Sequence, residues 1–82
     1  MADNAAIQAM IATLARGLVE SPDEVRVDIR EDDDRVRFEL VVPEGQRGQV
    51  IGRGGRIAHA LRTVTQAAGR AQGTRASLDI VD

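Results

Sequence analysis

The chain contains no cysteine, no lysine, no tryptophan and no tyrosine. Without cysteine there is no disulfide and no thiolate metal site. The one histidine, His59, cannot build a zinc site alone. No serine, cysteine or acid stands beside it in sequence. It therefore reads as an exposed residue on a polar helix face or at a subunit contact, and not as a general base. No segment approaches the roughly 18 consecutive apolar residues of a membrane span. The N-terminus lacks the basic flank and long apolar run of a secretory signal. The expected location is the cytoplasm, with no membrane partner. A chain of 82 residues holds one domain at most. It lies near the lower limit for an independently stable core, so a partner subunit would help it.

What is present is an uneven distribution of charge. The formal net charge is −2, which is unpromising for a nucleic-acid binder. Yet residues 1–44 carry eleven acids against five arginines, while residues 45–78 carry six arginines and no acid. These six are Arg47, Arg53, Arg56, Arg62, Arg70 and Arg75. A basic half on a weakly acidic chain is a directional electrostatic footprint. The exclusive use of arginine extends into the acidic half as well. It reads mainly as a compositional habit, although a guanidinium does offer phosphate a bidentate fork.

The hydrophobic periodicity divides the chain into six elements. Ile7, Met10, Ile11, Leu14 and Leu18 fall on one helical stripe, which predicts a helix over 4–19 capped by Asp3 or Asn4 and ended by Ser21-Pro22. Val25, Val27 and Ile29 alternate with charged residues, as do Val36, Phe38, Leu40 and Val42. Strands over 25–30 and 35–42 follow, joined as a hairpin through the acidic turn Glu31-Asp32-Asp33-Asp34. That tetrad lacks the ligand spacing of a calcium loop and reads as a solvated tip. A short helix is expected over 44–51 and a longer one over 55–70. The longer helix is expected to pair an apolar face of Ile57, Leu61, Val64 and Ala68 with a polar face containing Arg56, His59, Arg62 and Arg70. Ala76, Leu78 and Ile80 alternate in a last strand over 75–81. The order α-β-β-α-α-β implies an α+β fold, a three-stranded sheet with helices packed on one face.

The chemistry concentrates between the two later helices, where Gly52-Arg53-Gly54-Gly55 places three glycines and a cation in four positions. Glycine permits positive φ and close approach of a ligand to the main chain. The free N–H groups and positive dipole end of the following helix face the same place. Arg53 adds a full charge, and together these features make a phosphate cradle. A P-loop requires a lysine that this chain lacks, and the dinucleotide fingerprint requires a glycine where Ile57 stands.

Val50-Ile51-Gly52-Arg53-Gly54-Gly55 resembles the V-I-G-x-x-G signature of KH domains. The element order resembles that of the type II form. Ser21-Pro22-Asp23-Glu24-Val25 and Gly55-Arg56-Ile57-Ala58-His59-Ala60-Leu61-Arg62 are similar to the KhpA family (also called YlqC), single-KH-domain proteins of bacteria. The resemblance covers almost the whole chain and implies one KH domain over 1–82. It implies further that about four nucleotides of single-stranded RNA are held, with the loop clamping their backbone. Gly52, Arg53, Gly54, Gly55 and Arg56 would form the RNA-binding loop. Val50, Ile51 and Ile57 would line an apolar groove for bases, and an edge strand would read base edges. An RNA-chaperone or regulatory role follows, with no cofactor and no catalysis. So does pairing as a homodimer, or as a heterodimer with a KhpB (Jag/EloR)-like protein.

With Phe38 assigned to the core, aromatic stacking on bases is missing, and a single domain should bind weakly. Useful affinity then needs two linked sites, which a dimer supplies. The competing reading is a protein-interaction subunit whose KH surface mainly docks a larger partner.

Overall fold

Alternation of apolar and charged residues builds the sheet. The computed structural model describes residues 3–81. Residues 1, 2 and 82 of the expected domain lie outside them. The elements are α1 (Asn4–Arg16), β1 (Arg26–Asp32), β2 (Arg35–Val41), α2 (Arg47–Ile51), α3 (Arg56–Ala71) and β3 (Arg75–Val81). Short 3-10 turns occupy Pro22–Glu24 and Arg53–Gly55. The sheet order is β1-β2-β3, with β1 and β2 antiparallel and β2 and β3 parallel. Parallel neighbours need a crossover, and α2, the glycine loop and α3 supply it. The α+β order and the single covered sheet face agree with expectation.

Val27, Val36, Phe38, Leu40, Ala76, Leu78 and Ile80 point to the covered face and are buried. They meet Ile7, Ile11, Ala12 and Ala15 of α1 and Ala58 and Leu61 of α3 in one core. Burying each large side chain contributes about 1.5–3 kcal/mol. No helix of the described residues covers the opposite sheet face.

Several expectations need correction. The hairpin turn is shorter than the acidic tetrad, because Asp32 pairs with Arg35 and Glu31 with Val36. Only Asp33 and Asp34 turn the chain, with Asp33 at φ 49°, a left-handed conformation that aspartate tolerates better than most residues. Helix α1 stops at Arg16 instead of 19, as Gly17 caps it and the Leu18 N–H bonds the Ala15 carbonyl. Its cap is Asp3, whose Oδ1 accepts from the Ala6 N–H at 3.0 Å. Leu14, placed on the core stripe by spacing, is 42% exposed.

Helix α2 begins at Arg47, not 44. The Gln46 N–H bonds the Pro43 carbonyl at 3.0 Å, and Gly45 stands at φ 81°, so residues 43–46 form a turn that no helix can enter.

The buried face of α3 is also rotated from the expected one. It consists of Ala58, Leu61, Thr65 and Gly69, while Val64 is 41% exposed. Small residues win because the helix lies close on the sheet. A Cβ at Gly69 would stand 2.6 Å from the Ala76 Cβ and 3.1 Å from both the Ala76 nitrogen and the Thr74 oxygen. The buried Thr65 hydroxyl is satisfied by the Leu61 carbonyl at 2.8 Å.

Candidate nucleic-acid interface

The loop is held from below and from one side. Val50 is fully buried and anchors α2 in the core. It therefore supports the loop and has no surface to offer a base, contrary to the groove-lining role expected of it. Ile51 and Ile57 are half-buried beside the loop. Gln46 fixes the start of α2. Its Oε1 accepts from the N–H groups of Glu20 at 2.9 Å and Ser21 at 3.1 Å, and its Nε2 donates to the Ser21 Oγ at 3.1 Å. This clamp ties the loop-bearing helix to the segment between α1 and β1. Nothing in the periodicity marks Gln46, since its partners lie 25 and 26 residues away.

The backbone then turns through residues that only glycine serves well. Gly52 ends α2 at φ 76°, and its N–H bonds the Gly48 carbonyl at 2.9 Å. A Cβ there would meet the Ile57 Cγ1 at 2.7 Å. Gly54 and Gly55 stand at φ 65° and 75°, but a Cβ at either would meet nothing within 4 Å. At Gly52 both conformation and contact demand glycine. At the other two the demand is conformational, and the space outside them is open to a ligand.

Arg53 and Arg56 are exposed and make no ion pair with a described residue. Helix α3 starts immediately after Gly55 with no side-chain cap. The Arg56 N–H is taken by the Arg53 carbonyl in the 3-10 turn, and the remaining first-turn N–H groups and positive dipole end act beside the two guanidinium groups.

Two more arginines of the acid-free segment line the outer edge of β3. The Val42 N–H bonds the Val81 carbonyl at 3.3 Å, so Val81 faces the side of β2. By alternation, Leu78 and Ile80 turn their backbone groups to the free edge. There the Arg62 Nε reaches the Leu78 carbonyl at 3.3 Å and the Arg47 Nη2 reaches the Ile80 carbonyl at 3.4 Å. The sequence places Arg62 away from the loop as a source of field. The fold gives it a hydrogen-bonding place on the edge strand. Arginine cover also keeps this edge from pairing with another strand.

These elements converge on one chemistry. They present backbone and guanidinium donors with positive charge, and a half-buried apolar flank. The described residues hold no group of three or more histidine, cysteine, aspartate or glutamate side chains able to take a metal ion. None of their helices is long and apolar enough to cross a membrane.

Comparison with known proteins agrees with the geometry. The family model described as KhpA/KhpB, KH domain, matches residues 8–80. A protein named RNA-binding protein KhpA from Halalkalibacterium halodurans is 41% identical over 93% of this chain and 100% of its own. One of the same name from Aquifex aeolicus is 42% identical over 94% of this chain and 98% of its own. Another from Treponema pallidum is 42% identical over 89% of this chain and 91% of its own. No solved structure matches. The open glycine loop, the type II element order and a match that spans nearly the whole chain lead to one assignment: the chain belongs to the KhpA/KhpB KH-domain family.

Proposed function

We propose that the protein binds short single-stranded RNA at the Gly52-Arg53-Gly54-Gly55 loop, with Arg53 and Arg56 on phosphates and Ile51 and Ile57 against bases. The single observation that carries this reading is the loop itself, a glycine turn open to solvent between two guanidinium groups that pair with no described residue, at a helix start without a side-chain cap. The name carried by the relatives, RNA-binding protein, supports RNA as the ligand, and the family is not one of enzymes. If about four phosphates are engaged, log affinity should fall with log salt at a slope near −3. Fluorescence anisotropy with a short single-stranded RNA tests this. Binding at low salt that weakens with that slope supports the reading, and no binding at any salt sinks it.

A role as an RNA chaperone or post-transcriptional regulator in the cytoplasm follows from weak, sequence-tolerant binding that is strengthened by a second subunit. The partner is a second copy or a KhpB (Jag/EloR)-like chain. One observation supports a partner. Leu14, Leu18, Ala60 and Val64 form an apolar surface between α1 and α3, with Leu14 and Val64 each about 40% exposed. Sedimentation at tens of micromolar is expected to show a dimer that the Leu14→Asp, Val64→Asp variant disrupts. A wild-type protein that sediments only as monomer argues against self-association.

A further inference from the structure

The uncovered face of the sheet carries a charged surface that the loop does not use. Register sets the outward residues in rows across the three strands. One row is Asp28, Glu39 and Asp79, the next is Arg30, Arg37 and Ser77, and the last is Asp32, Arg35 and Arg75.

The acids of the first row are occupied by neighbouring arginines. Arg26 meets Asp28 at 3.0 Å, Arg30 meets Glu39 at 2.9 Å, and Arg37 lies 3.7 Å from Glu39 and 3.8 Å from Asp79. The hydrogen bond that Arg30 donates to Glu39, and then the Glu39 charge, holds the Arg30 guanidinium above its ordinary pKa.

The last row differs. Arg35 and Arg75 stand directly opposite each other on adjacent strands, and neither makes an ion pair with a described residue. Like charges so placed destabilise a sheet. An anion between them would offset that repulsion.

The surroundings suit a phosphate. A cleft of about 180 Å³ is lined by Arg35, Arg75, Ala76 and Ser77, and beside it one of about 230 Å³ is lined by Arg30, Asp32, Arg35, Arg37 and Ser77. The guanidinium groups of Arg35 and Arg75 and the Ser77 hydroxyl are phosphate donors. Ala76 is the one apolar residue lining these two clefts, whereas a protein-docking surface brings an apolar centre. Around the corner, Arg70 lies with Gly73, Thr74, Arg75 and Asp34 about a second depression. Asp32 lines the larger cleft and Asp34 the second depression, and in each the arginines outnumber the acid.

Helix α3 sets the distance between the two basic regions. Its 16 residues run from the loop to the turn before Arg75, roughly 24 Å at the helical rise. Arg62 lies between, on the edge of β3. We infer that Arg35 and Arg75, with Ser77, form a second phosphate site on the open sheet face, which takes the backbone of single-stranded RNA beyond the nucleotides held at the loop. This rests on the RNA reading proposed above, and the test separates the two.

Labelled oligouridylates of four and twelve nucleotides are titrated against wild type and the Arg35→Gln, Arg75→Gln variant at low salt. The variant removes a repulsive pair, so its thermal midpoint should hold or rise. It should bind the twelve-mer roughly tenfold more weakly, with a salt slope shallower by about 1.4 for two lost phosphates, and bind the four-mer as wild type does. Equal twelve-mer affinity in both proteins overturns the second site and leaves that face to an acidic protein. A wild type that binds the four-mer but gains nothing from the twelve-mer also overturns it, while the loop reading survives. Failure of wild type to bind either length overturns both.

Discussion

The Arg53→Asp, Gly54→Asp variant is expected to stay folded and to bind single-stranded RNA roughly a hundredfold more weakly, since two or more charge-assisted contacts are lost and a repulsion is added. Folding should survive for reasons specific to the loop. A Cβ at Gly54 meets nothing within 4 Å. Its φ of 65° lies in the left-handed region, where aspartate is among the better tolerated residues. Arg53 is exposed and makes no ion pair with a described residue. Because the substitution also alters net charge, the control is Arg16→Asp with Ala9→Asp on the exposed side of α1, which carries the same change. The control should lose only a few-fold, as expected of a long-range field screened by salt. Equal losses in the two variants would mean that the loop acts through overall charge and not as a clamp.

The largest expected effect on stability is at Phe38. It is the only aromatic residue, lies on the middle strand between Ile29 and Leu78, and is fully buried. Truncating a buried phenylalanine to alanine costs about 3–5 kcal/mol. A chain of this length has roughly 4–12 kcal/mol in total. Phe38→Ala should therefore lower the thermal midpoint by more than about 15 °C, or leave the chain unfolded at room temperature. Phe38→Leu should retain most of the stability. Thermal circular dichroism distinguishes these outcomes. A fall of less than about 5 °C in Phe38→Ala would show that the core does not depend on this ring.

The strands and the loop were legible because their signals are local. Alternation at Val36, Phe38 and Leu40 marks a half-buried strand whatever it pairs with, and a run of three glycines about an arginine announces an unusual backbone. What escaped was tertiary. Hydropathy assigns Ile57 and Val64 to the buried face of α3 because they are large. The helix instead lies so near β3 that Ala58 and Gly69 face the sheet, and the larger side chains move to the shoulder beside α1. Val50 belongs to the same signature as the glycines, yet the fold sends it inward. Glu44 offered an acid at a helix start, but the left-handed Gly45 delayed the helix. The roles of Gln46, Arg47 and Arg62 depend on partners distant in sequence, so no spacing rule finds them.

The positions of Arg62 and Arg47 also bear on specificity. Their side chains rest on the Leu78 and Ile80 carbonyls, the acceptors that the free edge of β3 would show to a base amino group. A base that reaches this edge must displace a guanidinium or bond to it. Either way the arginines take part in what the edge accepts.

The most direct test of the loop as the RNA clamp is a paired salt titration, by anisotropy on one short single-stranded RNA, of wild type and the Arg53→Asp, Gly54→Asp variant. A slope near −3 is expected for wild type and a much shallower one for the folded variant. Equal slopes and equal affinities would contradict the loop clamp and move the binding site elsewhere on the domain.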